Sequence, residues 1–282
     1  QLGGTRDEIR DATGLHRGAV DKKWRFEIDD SAAQVRPVNP NFPDEQDGSF
    51  MLRNVLNHPK LYDNYPEFAD IRVVFDDARA PGTAAFDLAN KKVQLSTEDL
   101  GTDALKDVLM HELQHAIQLR EKFDVGGSNR AIMEKISHEL SKNQKSSDAS
   151  VRAKARLYTA HFNSLPTEKR LDIAFSLYNR IGGETEARTV QKRLNFDEIE
   201  RAFTSPWATQ DVADAAQVRS PFTGHPILGD ALAEMALPPH QQAVRDRIAA
   251  APGSKFQVPT AADTYTAIVD DLHPLKKMTE AL

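Results

Sequence analysis

Cysteine is absent from all 282 residues. That excludes a disulfide framework, a thiol nucleophile, an iron–sulfur cluster and thiolate-ligated zinc, so any metal site in this chain must draw on imidazole and carboxylate ligands. Basic charge is also scarce: 36 Lys and Arg face 42 Asp and Glu, a formal net charge of −6. With a pI near 5.9, this balance disfavours a large nucleic-acid footprint. No run approaches the roughly 18 apolar residues of a membrane span, and a mean hydropathy of −0.54 describes a polar, soluble protein. Residues 1–11 lack a basic stretch followed by an apolar one, so no signal peptide is read. The chain opens on Gln1 rather than Met, which leads us to expect a fragment or a processed product.

What is present organises into strands first and helices later. Trp24, Phe26 and Ile28 alternate with Lys23, Arg25 and Glu27, a period of two that predicts a strand with its polar face exposed. Residues 37–48 are a loop by composition, and a helix is expected near 50–57. Ile71 to Phe75 reads as a buried strand, and segments 84–88 and 92–95 as a hairpin. From Thr102, a candidate N-cap, the period becomes helical: Leu105, Val108, Leu109, Ala116 and Leu119 recur at helical spacing, and Gly126 with Gly127 is expected to end the helix. Residues 130–180 read as helical with a break near 163–166. The basic stretch Lys142 to Arg156 carries no interleaved nucleic-acid-type aromatics and reads as a solvated helix surface. The expected fold class is α+β, with a small, mostly antiparallel sheet packed on a long helix and a helical second lobe. The expected domains are 1–213 and a Pro-containing helical extension, 214–282.

The chemistry concentrates in Asp107-Val-Leu-Met-His111-Glu112-Leu-Gln-His115. Two histidines four apart on a helix project from one face at a spacing that suits one tetrahedral ion, and a glutamate directly after the first can act as a base beside it. A third ligand is needed, and no further histidine follows at short spacing. Gly182-Gly183-Glu184-Thr-Glu186-Ala187-Arg188 offers two carboxylates that, being two apart, cannot both face one metal from a regular helix. Glu184 is the choice, because Gly182, Gly183 and Ala187 permit close packing around it. Tyr178 and Arg188 are the candidate oxyanion donors. The remaining histidines, His58 and His161 among them, read as packing or surface residues.

These two blocks resemble the zinc-metallopeptidase-like domains of large polyvalent proteins of phages and other mobile elements, whose hallmark segments look like LLHEIQHAIQ and GEvEAR. Similar stretches run from Lys23–Ser31 through Val55–Asp70, His111–Gln118, Gly126–Ser128, Gly183–Gln191 and Pro206–Val212. The resemblance implies a zincin-like fold of gluzincin type, zinc (Zn2+) held by His111, His115 and Glu184, Glu112 as catalytic residue, and a protein or peptide substrate. It also implies a phage setting, with delivery into a bacterial cytoplasm, in which the chain is one piece of a larger polyprotein. In gluzincins an acid follows the alanine of the ligand helix; here Arg188 stands there, so the partner orienting the histidines must differ, and Arg188 is expected to pair with Glu186 or a substrate carbonyl. A zinc-dependent peptidase is the leading expectation. The alternative is a zinc-binding module without proteolytic turnover, within a polyprotein or toxin.

Overall fold

The computed structural model describes residues 4–87, 90–235, 237 and 242. Its first helix, α1 (Arg6–Thr13), opens on a reciprocal cap in which Thr5 and Glu8 each accept the other's backbone N–H, satisfying donors that a helix start leaves free. It closes at Gly14, whose φ of 71° lies in the left-handed region that glycine adopts at no steric cost. An antiparallel hairpin of β1 (Leu15–Arg17) and β2 (Trp24–Phe26) follows. The strand is where alternation predicts it, but its faces are reversed. Arg25 is buried at 6% exposure while Trp24 and Phe26 stay nearly half exposed. Ion pairing is the cause: both Arg25 Nη atoms bond Asp21 at 2.8 Å and Nε lies 2.6 Å from Glu186 Oε1, which compensates the desolvation of the guanidinium.

Residues 34–96 build two small sheets. β3 (Gln34–Val35) pairs antiparallel with β5 (Leu56–Asn57). β4 (Phe50–Met51), β6 (Arg72–Asp76), β7 (Ala84–Asp87) and β8 (Lys92–Ser96) form a sheet of order β4-β6-β8-β7, antiparallel except for the β6–β8 pair. The hairpin is thus present, as β7 and β8. The helix expected over 50–57 shrinks to one turn, α2 (Leu52–Val55), between β4 and β5. After β5, α3 (Pro59–Asn64) starts at His58, which is buried: Nδ1 accepts from Leu61 N–H and Nε2 lies 2.7 Å from Asp30 Oδ1.

The long helix is α4 (Asp103–Glu121). It ends at Lys122, with φ of 58°, not at the glycines. The Lys122 N–H returns to the Gln118 and Leu119 carbonyls, and this closes the last turn four residues before Gly126. Leu105, Leu109 and Leu113 of α4 join Leu52, Val55, Leu56, Val73, Val93 and Leu95 in a core with almost no exposure. Seating three leucines of one helix there contributes several kcal/mol, at roughly 1.5–3 each.

Six further helices follow among the described residues: α5 (Asn129–Gln144), α6 (Ala149–Ser164), α7 (Thr167–Arg180), α8 (Gly182–Arg193), α9 (Glu198–Phe203), and, after a run of single turns, α10 (Leu228–Glu234). The helical segment breaks at 145–148 as well as before Pro166. Within the basic stretch 142–156, Lys154 departs from the solvated reading, being 1% exposed.

Two compact units emerge, residues 1–127 with 179–225, and 128–178 with 226–282. They divide the chain differently from the compositional boundary at 213, and most of 214–282 lies outside the described residues. In the first unit α4 packs along α8 and against β7 and β8. In the second, α5 packs on α6 and α10, and the buried Glu139 accepts the Ile227 and Leu228 N–H groups at the start of α10, a favourable place for a carboxylate.

Part of the tail belongs to the first unit. Val218 bridges Ile181, the Ser220 N–H donates to Asp124, and Ser220 Oγ donates to the Gly126 carbonyl at 2.7 Å. Burial raises the Asp124 carboxyl from the ordinary 3.8 to about 6, against the pull of the Ser220 N–H. A raised carboxyl pKa means that the folded state holds the proton more tightly, so this contribution is complete below the unfolded value and is lost as pH rises through about 6. Asp124→Asn should therefore gain stability over wild type between pH 5 and 7.5, by no more than about 3 kcal/mol. Urea unfolding of both proteins across that range checks it, and a pH-independent difference would count against the assignment.

Candidate metal centre

Two helices supply the centre. α4 places His111 and His115 one turn apart, their rings 4.8 Å between centroids and nearly perpendicular. α8 brings Glu184, 1% exposed, so that Oε2 lies 3.4 Å from His111 Nε2 and Oε1 lies 3.5 Å from His115 Nε2. The ligand atoms of these three residues all lie within 4.8 Å of one another, and the group could hold a metal ion. Donors about 2.0–2.1 Å from a tetrahedral ion are about 3.3 Å from each other. The two imidazole–carboxylate distances are close to that edge, each histidine facing a different oxygen of Glu184.

The outer contacts fix which ring nitrogen faces inward. His115 Nδ1 lies 2.9 Å from Gln118 Oε1, and Gln118 Nε2 donates to the Gly183 carbonyl and to Glu186 Oε2. His111 Nδ1 lies 3.0 Å from Gln191 Oε1, and Gln191 Nε2 donates to the Asp107 carbonyl. Each amide has its nitrogen committed to acceptors, so each presents oxygen to an imidazole. That puts Nδ1–H toward each amide and turns Nε2 toward Glu184, where a metal would replace the proton shared with the carboxylate.

Close approach depends on glycine. A Cβ on Gly126 would lie 2.4 Å from both Glu184 Oε1 and His115 Cε1, and one on Gly183 would lie 2.3 Å from the Val125 carbonyl carbon. Neither glycine has φ in the left-handed region, so the requirement is space. The Gly127 N–H donates to Glu184 Oε1 at 2.8 Å, which gives the pair Gly126-Gly127 a place against the carboxylate and not at the end of α4.

Charge is balanced inside the cluster. Burial pushes the Glu184 carboxyl up, but its bonds to the two histidines prevail and hold it well below the usual carboxylate range. Burial lowers His115, yet the Glu184 hydrogen bond and the charges of Glu184 and Glu112 lift it to about 9. Glu112, 6% exposed on α4, is raised by burial, with His115 and His111 opposing; the Phe86 backbone on β7 also bonds it.

Glu186, the carboxylate not chosen, sits outside the cluster between Gln118 and Arg25. Arg188 does not pair with it. Its Nε and Nη2 bond Asp211, and Nη2 also reaches the Asn179 carbonyl at 2.5 Å. Tyr178 belongs to the second unit, where its ring stacks on Phe175. The supporting residues Gln118 and Gln191 carried no role in the sequence reading, although a signal existed. Gln118 is three residues after His115 and Gln191 seven after Glu184, spacings that keep each on its ligand's helix face.

A family model described as large polyvalent protein associated domain 23 matches residues 1–36. The matched segment comprises α1, the β1–β2 hairpin and β3. It contains none of the three clustered residues. Comparison with curated proteins and with solved structures finds no match. Among the described residues no helix is long and apolar enough to cross a membrane.

Gly126→Ala should leave the helical circular dichroism intact and weaken zinc binding at least tenfold, on the scale of disturbed metal-ligand positioning. Competition against a chromogenic chelator measures it; unchanged affinity would show that the loop can retreat from Glu184.

Proposed function

We propose that the chain is a zinc-dependent metallohydrolase that cleaves peptide bonds. The observation that carries the proposal is the convergence of two Nε2 atoms and a buried carboxylate with Glu112 one residue from His111 on the same helix. Zinc suits a site of two imidazoles and one carboxylate, with a position left for water or substrate. When bound, it would polarise a carbonyl oxygen and acidify water. Glu112 would accept a proton from the attacking water at its carboxylate and pass it to the leaving amine nitrogen. Its burial raises its proton affinity, which favours a group that must hold that proton briefly. β7 supports a peptide substrate, since it is an edge strand of the four-stranded sheet whose Phe86 backbone bonds Glu112. An extended segment adding to such an edge would run past the centre.

Arg188, held by Asp211 and Asn179, is assigned to bracing α8. The alternative, a binding module without turnover, would keep the metal and have no need of a carboxylate at position 112.

Elemental mass spectrometry on the purified chain should find about one zinc per molecule, retained in Glu112→Gln and lost in Glu184→Ala. Peptide-library hydrolysis should fall by about two to four orders of magnitude in Glu112→Gln. Zinc with no cleavage by wild type would select the binding module, and no uptake of zinc would refute both.

A further inference from the structure

The contacts around Glu186 run outward from the metal cluster into the segment 1–36. Gln118 can present Oε1 to His115 only while its Nε2 has acceptors on the other side, and one of these is Glu186 Oε2 at 2.9 Å. The other oxygen of Glu186 lies 2.6 Å from Arg25 Nε, and among the described residues Arg25 is the one cation paired with it. Arg25 is itself held on several sides. Asp21 takes both Nη atoms, the Phe123 ring lies 4.1 Å from the guanidinium carbon, and a Cβ on Gly18 would fall 1.6 Å from Nη1. The hairpin therefore builds a seat in which only a glycine at 18 leaves room for the arginine.

We infer that Arg25 is a positioning residue of the metal centre: by fixing Glu186 it fixes the orientation of the Gln118 amide, and through that amide the ring nitrogen that His115 offers to a metal. The inference rests on the metal-binding reading of the cluster. Without Arg25, Glu186 loses its partner in a largely buried place and swings toward water. Gln118 Nε2 is then held by the Gly183 carbonyl alone, and the amide turns over more readily, presenting NH2 to His115 Nδ1 and moving the ring proton to the nitrogen that should bind the ion. The segment matched by the polyvalent-protein model thus forms the outer support of a centre whose ligands lie 75 or more residues further along the chain.

The test uses the full chain with Zn2+ alone as probe. Arg25→Met and, independently, Gly18→Ala, which keeps the charge and removes its seat, should weaken zinc binding by about 10–100-fold. In the zinc-free protein both should speed hydrogen exchange of the Gln118 side-chain amide, read by 15N NMR. Arg25→Lys should recover part of the affinity. Arg193→Met breaks a different buried pair of the same unit, with Glu27, and should keep zinc affinity within about twofold. If wild type binds zinc and Arg25→Met binds it equally, or if Arg193→Met weakens it as much, the inference is overturned and the metal reading stands. If wild type takes up no zinc, both fail.

Discussion

A carboxylate with 1% of its surface exposed is costly unless its charge is answered locally, and the first unit is arranged around the answers given to Glu184. Two imidazoles and the Gly127 N–H face its oxygens. Bringing them there requires α8 and the loop after α4 to approach within reach of bare backbone, hence glycine at 126 and 183. The helix pair is then held by amide bridges, with Gln118 of α4 bonded to the Gly183 carbonyl and Gln191 of α8 bonded to the Asp107 carbonyl. Remove the carboxylate and these contacts have no common purpose.

The sequence carried the centre more clearly than the scaffold. Spacing alone located His111 and His115, because i and i+4 on a helix share a face whatever surrounds them. The choice of Glu184 over Glu186 also followed from local pattern, small residues marking the side that packs. Local pattern puts the end of α4 at the glycines, whereas Lys122 adopts the left-handed cap and the glycines serve a contact that no local rule encodes. Likewise the expected helix at 50–57 keeps its middle turn and is strand at both ends, since pairing with β3 and β6 overrides local propensity there.

The reversed strand has a more general cause. Period-two reading assumes that charge faces water, and for Lys23 that holds. Arg25 breaks the rule because its partners, Asp21 and Glu186, come from a turn and from a helix over 160 residues away. No window of sequence short enough to show periodicity contains both. Trp24 is left outside, and the Arg17 guanidinium lies 4.4 Å from its ring, so the aromatic face is partly covered by a cation. Polar residues turned inward beside a site are where pattern rules fail most usefully, because the failure points to a network.

The Ser220 clasp bears on how this protein comes into being on the ribosome. Its two partners, Asp124 and Gly126, precede it by 96 and 94 residues, and the intervening chain includes both α8 and the segment 128–178 of the second unit. During synthesis α4 and the sheet emerge early, and Asp21 is already present to accept the Asp124 N–H, but the loop's bonds to Glu184 and Ser220 wait for those residues to leave the exit tunnel. Non-local closure of this kind is slow to form. The nascent chain therefore passes through a stage in which both histidines are made and Glu184 is not, and the clasp at Ser220 is the last of the loop's contacts to become available.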